Sequence, residues 1–127
     1  MDSHLKISIL PGGYAVCCLP SDAPLPDGMA DLPFWSATRT PDELSLVVPE
    51  AFAQPHWQVQ AGWVVMKVHG PLDFALTGIL ASLSTALADA TISIFALSTY
   101  QTDYLLVPVE RVLEARQALE RIGCIFI

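Results

Sequence analysis

The stretch FALSTYQTDYLLVP, residues 95–108, sets Ser98, Thr99, Tyr100, Thr102 and the carboxylate of Asp103 between two apolar runs. It reads as two strands joined by a short turn. The turn holds neither Asn-Gly nor Gly-Gly, the usual signals of a two-residue hairpin. A carboxylate beside an aromatic ring and hydroxyls can hold a cation: Asp103 can pair with an ammonium or guanidinium group while Tyr100 covers an aliphatic stem. The matching place for an anion is DFALTGIL, residues 73–80. A helix that starts there offers free backbone N–H groups to a carboxylate; Gly78 allows close approach and Thr77 supplies a hydroxyl. Each residue also has a plainer reading. Asp103 can cap a turn and face solvent, Tyr100 can be an ordinary cross-strand aromatic, and Thr77 and Gly78 can simply shape helix packing.

Other chemistry finds little footing. His4, His56 and His69 are far apart with no metal-ligand spacing. Cys17, Cys18 and Cys124 are odd in number, include an adjacent pair and lack Cys-x-x-Cys spacing, so they read as buried free thiols rather than a disulfide framework or zinc site. There is no Gly-x-Ser-x-Gly, and GPLDFALTG lacks the Gly-Lys-Ser/Thr of a phosphate loop. Asp103 as a general base has no visible partner, and Arg39 with Glu43 reads as a surface ion pair. The chain is not expected to be an enzyme or to need a cofactor. Its net charge is -7 and its six basic residues are scattered, which excludes nucleic acid and anionic membrane as natural partners. Hydrophobic residues make up 53% and charged ones 15%, so some apolar surface is expected to meet another subunit. No apolar run approaches the ~18 residues of a membrane helix. MDSHLKISIL does not resemble a signal peptide, and the protein is read as cytoplasmic.

The elements that must position these residues follow from pattern. Residues 5–19 are two short apolar runs broken by Pro11-Gly12-Gly13, a bent strand or hairpin. Residues 20–33 hold four prolines and leave room for a turn or two of helix. FWSATRT and ELSLVV read as strands, PEAFAQPHW as one short helix, WVVMKV as the next strand. Leu76, Ile79, Leu80, Leu83 and Leu87 recur at helical spacing; so do Val109, Val112, Ala115, Leu119 and Ile122, with Gly123 as the stop. ISIFAL, DYLLV and CIFI complete the strands. The order predicted for 62–127 is β-α-β-β-α-β, the ferredoxin-like arrangement of an α+β protein. The halves also match at an offset of sixty: SLVVPE (45–50) lies over LLVPVE (105–110), with Glu43 opposite Asp103. The division implied is a degenerate unit at 1–61 and a complete one at 62–127, each too small to stand easily by itself.

FWSATRTPDELSLVVPE (34–50), HGPLDFALTGILASLSTALADATISIFALSTYQTDYLLV (69–107) and LPGGYAVCCLP (10–20) resemble a tandem ACT-domain protein. The resemblance is to the small bacterial ACT-like group related to aspartate-kinase regulatory domains and to the eukaryotic cytosolic arginine sensors. It implies two ferredoxin-like ACT units in tandem, the first abbreviated, and a non-catalytic regulatory module that binds a small molecule, chiefly an amino acid, at a junction between paired domains. It further implies a homodimer acting on a regulated enzyme in trans; the alternative is a ligand-free structural module working through dimerisation. The pocket implied is lined by Phe74, Leu76, Thr77, Gly78, Ile79, Thr99, Tyr100 and Asp103. Leu76 departs from the acidic residue of the arginine sensors and removes a partner for a guanidinium.

Overall fold

The computed structural model describes residues 5–69 and 78–127. The strands are β1 (Lys6–Ile9), β2 (Tyr14–Leu19), β3 (Ser36–Arg39), β4 (Leu44–Pro49), β5 (Gln58–Val68), β6 (Phe95–Ser98), β7 (Asp103–Pro108) and β8 (Ile125–Phe126). The helices are α1 (Ile79–Asp89) and α2 (Val112–Arg121), with 3-10 turns at Met29–Asp31, Glu50–Phe52 and Val109–Arg111. The chain divides into two compact units: one holds Gly12–Trp63, the other the residues up to Pro11 together with those from Val64 onward.

In the second of these, β5-α1-β6-β7-α2-β8 reproduces the predicted order. Its strands run β6-β7-β5-β1-β8. β1 pairs antiparallel with β5 (Ile7 opposite Val68) and parallel with β8 (Ile7 opposite Phe126). Residues 5–19 are therefore not a hairpin. Pro11 and Gly12, the latter at φ 82°, break the run, and β1 joins the C-terminal unit, where sequence alone groups it with residues 1–61. Leu83 and Leu87 of α1 and Ala115 and Leu119 of α2 close over Val64, Met66, Leu105 and Val107. Val109 departs from the predicted helical stripe: it lies in the 3-10 turn and is 54% exposed. α1 stops without a glycine; Thr91 takes the left-handed conformation (φ 60°) usual for Gly or Asn there. Arg111 secures that stop by donating to the carbonyls of Ala90 (3.1 Å) and Thr91 (3.2 Å).

The unit Gly12–Trp63 runs β3-β4-β2-β5, all neighbours antiparallel. The two positions where the other unit has helices hold 3-10 turns. Prolines forbid more: four stand in residues 20–33, and Pro49 and Pro55 bracket the second turn. Met29, Leu32, Phe52 and Trp57 cover Cys17, Leu44, Leu46 and Val48 instead. The Glu50 carboxylate accepts the Gly62 N–H (2.8 Å), and the Glu50 N–H donates to the Gly13 carbonyl (3.0 Å). Gly62, at φ 84°, allows the register shift between Tyr14–Trp63 and Val16–Gln60.

The two hairpins agree in register at an offset of fifty-nine. Ser36–Val47, Ala37–Leu46, Thr38–Ser45 and Arg39–Leu44 correspond to Phe95–Leu106, Ala96–Leu105, Leu97–Tyr104 and Ser98–Asp103. The turns agree as well. Thr40 N–H donates to the Glu43 carbonyl and Thr99 N–H to that of Thr102. Both threonine hydroxyls bond across the same turn. Pro49 and Pro108 then lead alike into a 3-10 turn. The sixty-residue offset is thus one too long, and Glu43 stands opposite Thr102 rather than Asp103.

Candidate functional site

Of the eight residues predicted to line a pocket, Phe74, Leu76 and Thr77 lie outside the described residues. Gly78 is the cap residue of α1, at φ 82°, and as a glycine it brings no side chain to cap that helix start. The first helical bond there runs from Ser82 N–H to the Gly78 carbonyl (2.8 Å). Among the described residues a Cβ at Gly78 would meet nothing within 4 Å, and its φ of 82° is a conformation that glycine adopts without strain. Ile79 is half-buried and packs against the core.

The turn residues are more tightly held than their sequence implies. Thr99 spends its hydroxyl on the Thr102 carbonyl (3.1 Å) and accepts the Thr102 N–H (3.2 Å). Thr102 is buried, and its hydroxyl donates to the Val68 carbonyl at the end of β5, which fixes the turn to the strand that leads toward DFALTGIL. Tyr100 is 85% exposed. Asp103 opens β7, and its Oδ1 accepts the Ser98 hydroxyl (2.7 Å). Asp103 is therefore already bonded to one hydroxyl.

A cavity of about 400 Å³ borders Gly78, Ser82, Thr85, Asp89 and Ile122, on the α1 side, and takes in no residue of the turn 99–103. A larger one, about 730 Å³, lies in the unit Gly12–Trp63, where sequence reasoning located no site; Trp57, Asp42 and the prolines of residues 20–26 border it. The signal for it was the rigid proline-rich stretch and the PHW tripeptide at 55–57.

The remaining polar groups have structural work. His69 Nε2 lies 2.7 Å from Ser8 Oγ, and the backbone N–H of His69 donates to the Lys6 carbonyl (2.8 Å), joining β1 to the end of β5. Arg39 forms no ion pair with Glu43 among the described contacts; its guanidinium donates to the carbonyls of Ser21 and Ala23. Burial raises the Cys17 and Cys124 thiols above their ordinary range. Burial also raises Cys18, with the charge and hydrogen bond of Glu43 adding to it. All three are free, and as thiols they are poor nucleophiles. Among the described residues no group of three His, Cys, Asp or Glu could hold a metal ion. No described helix is long and apolar enough to cross a membrane.

The ACT domain family matches residues 58–121. A second family, described as an N-terminal domain, matches residues 12–52. The cytosolic arginine sensor for mTORC1 subunit 1 of Bos taurus is 35% identical over an alignment of 88 residues, with a coverage of 58% of this chain and 26% of that protein. The chain thus spans a minor part of that relative's length. An X-ray structure of a protein from Agobacterium tumefaciens has a TM-score of 0.91 at 32% identity, covering 98% of this chain and 92% of that one. The ligand-free regulatory subunit of aspartate kinase from Thermus thermophilus has a TM-score of 0.61 at 11% identity, covering 91% of this chain and 96% of that one, a likeness of fold.

Proposed function

The chain belongs to the ACT domain family, and from that premise we propose that it is a cytoplasmic, non-catalytic regulatory module that binds an amino acid or similar small molecule and acts on an enzyme in trans. The chain carries two ferredoxin-like ACT units in tandem: a complete one at 62–127, to which β1 is lent, and an abbreviated one in the residues before it. The equal register of the two hairpins at an offset of fifty-nine supports this duplication. The observation that carries the binding reading is the pairing of two features in one unit. α1 begins at a left-handed Gly78 that brings no capping side chain of its own, and Asp103 stands at the head of β7 on a turn tied to β5 through Thr102. The N–H groups at Gly78 and Ile79 take the carboxylate, and Asp103 faces the cationic group, with Phe74, Leu76, Thr77, Thr99 and Tyr100 around the ligand. Exposed Val109, Leu113 and Ile127 support a homodimer that covers them.

One observation favours a second reading, a ligand-free interaction module: Asp103 and Thr99 already satisfy each other's neighbours through Ser98 and Thr102. A thermal-shift screen with the twenty amino acids separates the two. Ligand at a hundred times its Kd adds about 2.7 kcal/mol, a shift of several degrees. One strong stabiliser is expected; a flat screen favours the interaction module.

A further inference from the structure

The cavity in the unit Gly12–Trp63 is built as a site. Its volume of about 730 Å³ suits a small molecule. Part of its wall is held by contacts within the protein. Pro20, Pro24 and Pro26 restrict the loop backbone. Arg39 donates to the carbonyls of Ser21 and Ala23, and the Ala23 N–H closes a turn onto the Pro20 carbonyl (3.0 Å). Trp57 forms part of the lining, its ring steadied by Phe52 (centroids 6.3 Å apart) and by His56 edge-on (6.2 Å).

Charge decides the class of ligand. No Lys or Arg lines the cavity, and Asp42 is its carboxylate. An anion would meet Asp42 with the imidazole of His56 as the one basic group in the lining, inside a chain of net charge -7. A cation would meet Asp42 and an indole, whose ring face attracts positive charge. Gln54 donates its amide N–H to the Phe52 carbonyl (3.0 Å), which leaves its carbonyl oxygen as a further acceptor. We propose that this cavity binds a small organic cation, an ammonium or guanidinium on an apolar body, with Asp42 taking the charge and Trp57 and the prolines taking the body. Asp42 sits in the Thr40–Glu43 turn, the counterpart of Thr99–Thr102, but the site shares no residue with the one proposed at Gly78 and Asp103, so each stands or falls separately.

Trp35→Phe with Trp63→Phe leaves Trp57 as the sole indole, since the chain has three tryptophans. Titration of that protein with phenethylamine should give a saturable change in fluorescence, and phenylacetate, the anion on a similar body, should give none. Asp42→Asn should weaken phenethylamine roughly ten-fold. If the double variant does not fold, the Trp57 indole N–H resonance of the unaltered chain reports the same titrations. No saturable change at millimolar phenethylamine, equal binding of phenylacetate, or full affinity in Asp42→Asn would each overturn the proposal.

Discussion

The two hairpins of this chain share a register, a turn and a following proline, yet their surroundings differ. Around β6 and β7 the sheet is closed by two amphipathic helices that bury Leu83, Leu87 and Leu119 completely. Around β3 and β4 it is closed by 3-10 turns that offer Met29 and Phe52 and by Trp57 in the bend before β5. A helix covers a sheet with aliphatic side chains at regular spacing. A proline-rich loop cannot, and aromatic rings span the distance instead, which leaves the cavity beside Trp57. One strand frame thus accepts two kinds of cover.

Equivalent leucines test this most strongly. Leu105→Ala should cost about 3–5 kcal/mol and Leu46→Ala about 2–4 kcal/mol, measured by urea unfolding. Both are fully buried, but Leu46 is covered in part by the half-buried ring of Phe52, which can turn into the smaller void. Equal losses, or a larger loss at Leu46, would break the contrast.

Two glycines come next. A Cβ at Gly13 would collide with the Glu50 carboxylate, which would have to swing away and release the Gly62 N–H. Gly13→Ala should therefore lower stability by about 1–3 kcal/mol. Gly78→Ala meets no atom and should cost about 1 kcal/mol, the penalty of a left-handed non-glycine residue. Thermal melts of both variants beside Glu50→Gln check the assignment: with the carboxylate already replaced, the effect of Gly13→Ala should shrink.

A smaller effect separates Thr102 from its counterpart Glu43. Thr102→Val removes the hydroxyl bonded to the Val68 carbonyl and should cost about 1 kcal/mol; Glu43→Gln should change stability by less than about 0.5 kcal/mol. Amide exchange at the end of β5 should quicken in the first variant only.

The smallest effect is alkaline. Cys17 in one unit and Cys124 in the other have thiols raised by burial from an ordinary value of 9.0. The folded state holds these protons more tightly than the unfolded chain. The resulting stability is fully present below about pH 9 and is lost as pH rises through the folded values. The melting temperature should fall above that pH, less steeply in Cys17→Val and Cys124→Val, each altering its own unit. A fall of the same slope in both variants would assign the effect to other groups.

Much of this was legible in the sequence. The order from β5 to β8 follows from the period of Leu83 and Leu87, the alternation of DYLLV and the stop at Gly123. The offset of the two halves was not. Leu46, Val47 and Val48 are buried on both faces, as are Leu105, Leu106 and Val107, so hydrophobicity carries no alternation and a slip of one residue costs the pattern nothing. The threonine turns set the register, and their equivalence appears only in their hydrogen bonds. The place of β1 was hidden for a different reason. KISI carries no sign of its partner, and pairing with β5 and β8 spans most of the chain. The cavity beside Trp57 escaped because its lining comes from turns, whose side chains have no period to read.

The central claim, that the unit containing α1, β6 and β7 binds an amino acid, is tested most directly by 1H–15N correlation spectra recorded with each of the twenty amino acids. The account predicts that one of them shifts the amides of Gly78, Ile79 and residues 99–103 in a saturable way and leaves the indole of Trp57 unmoved. Twenty unchanged spectra, or shifts confined to residues 18–58, would contradict it.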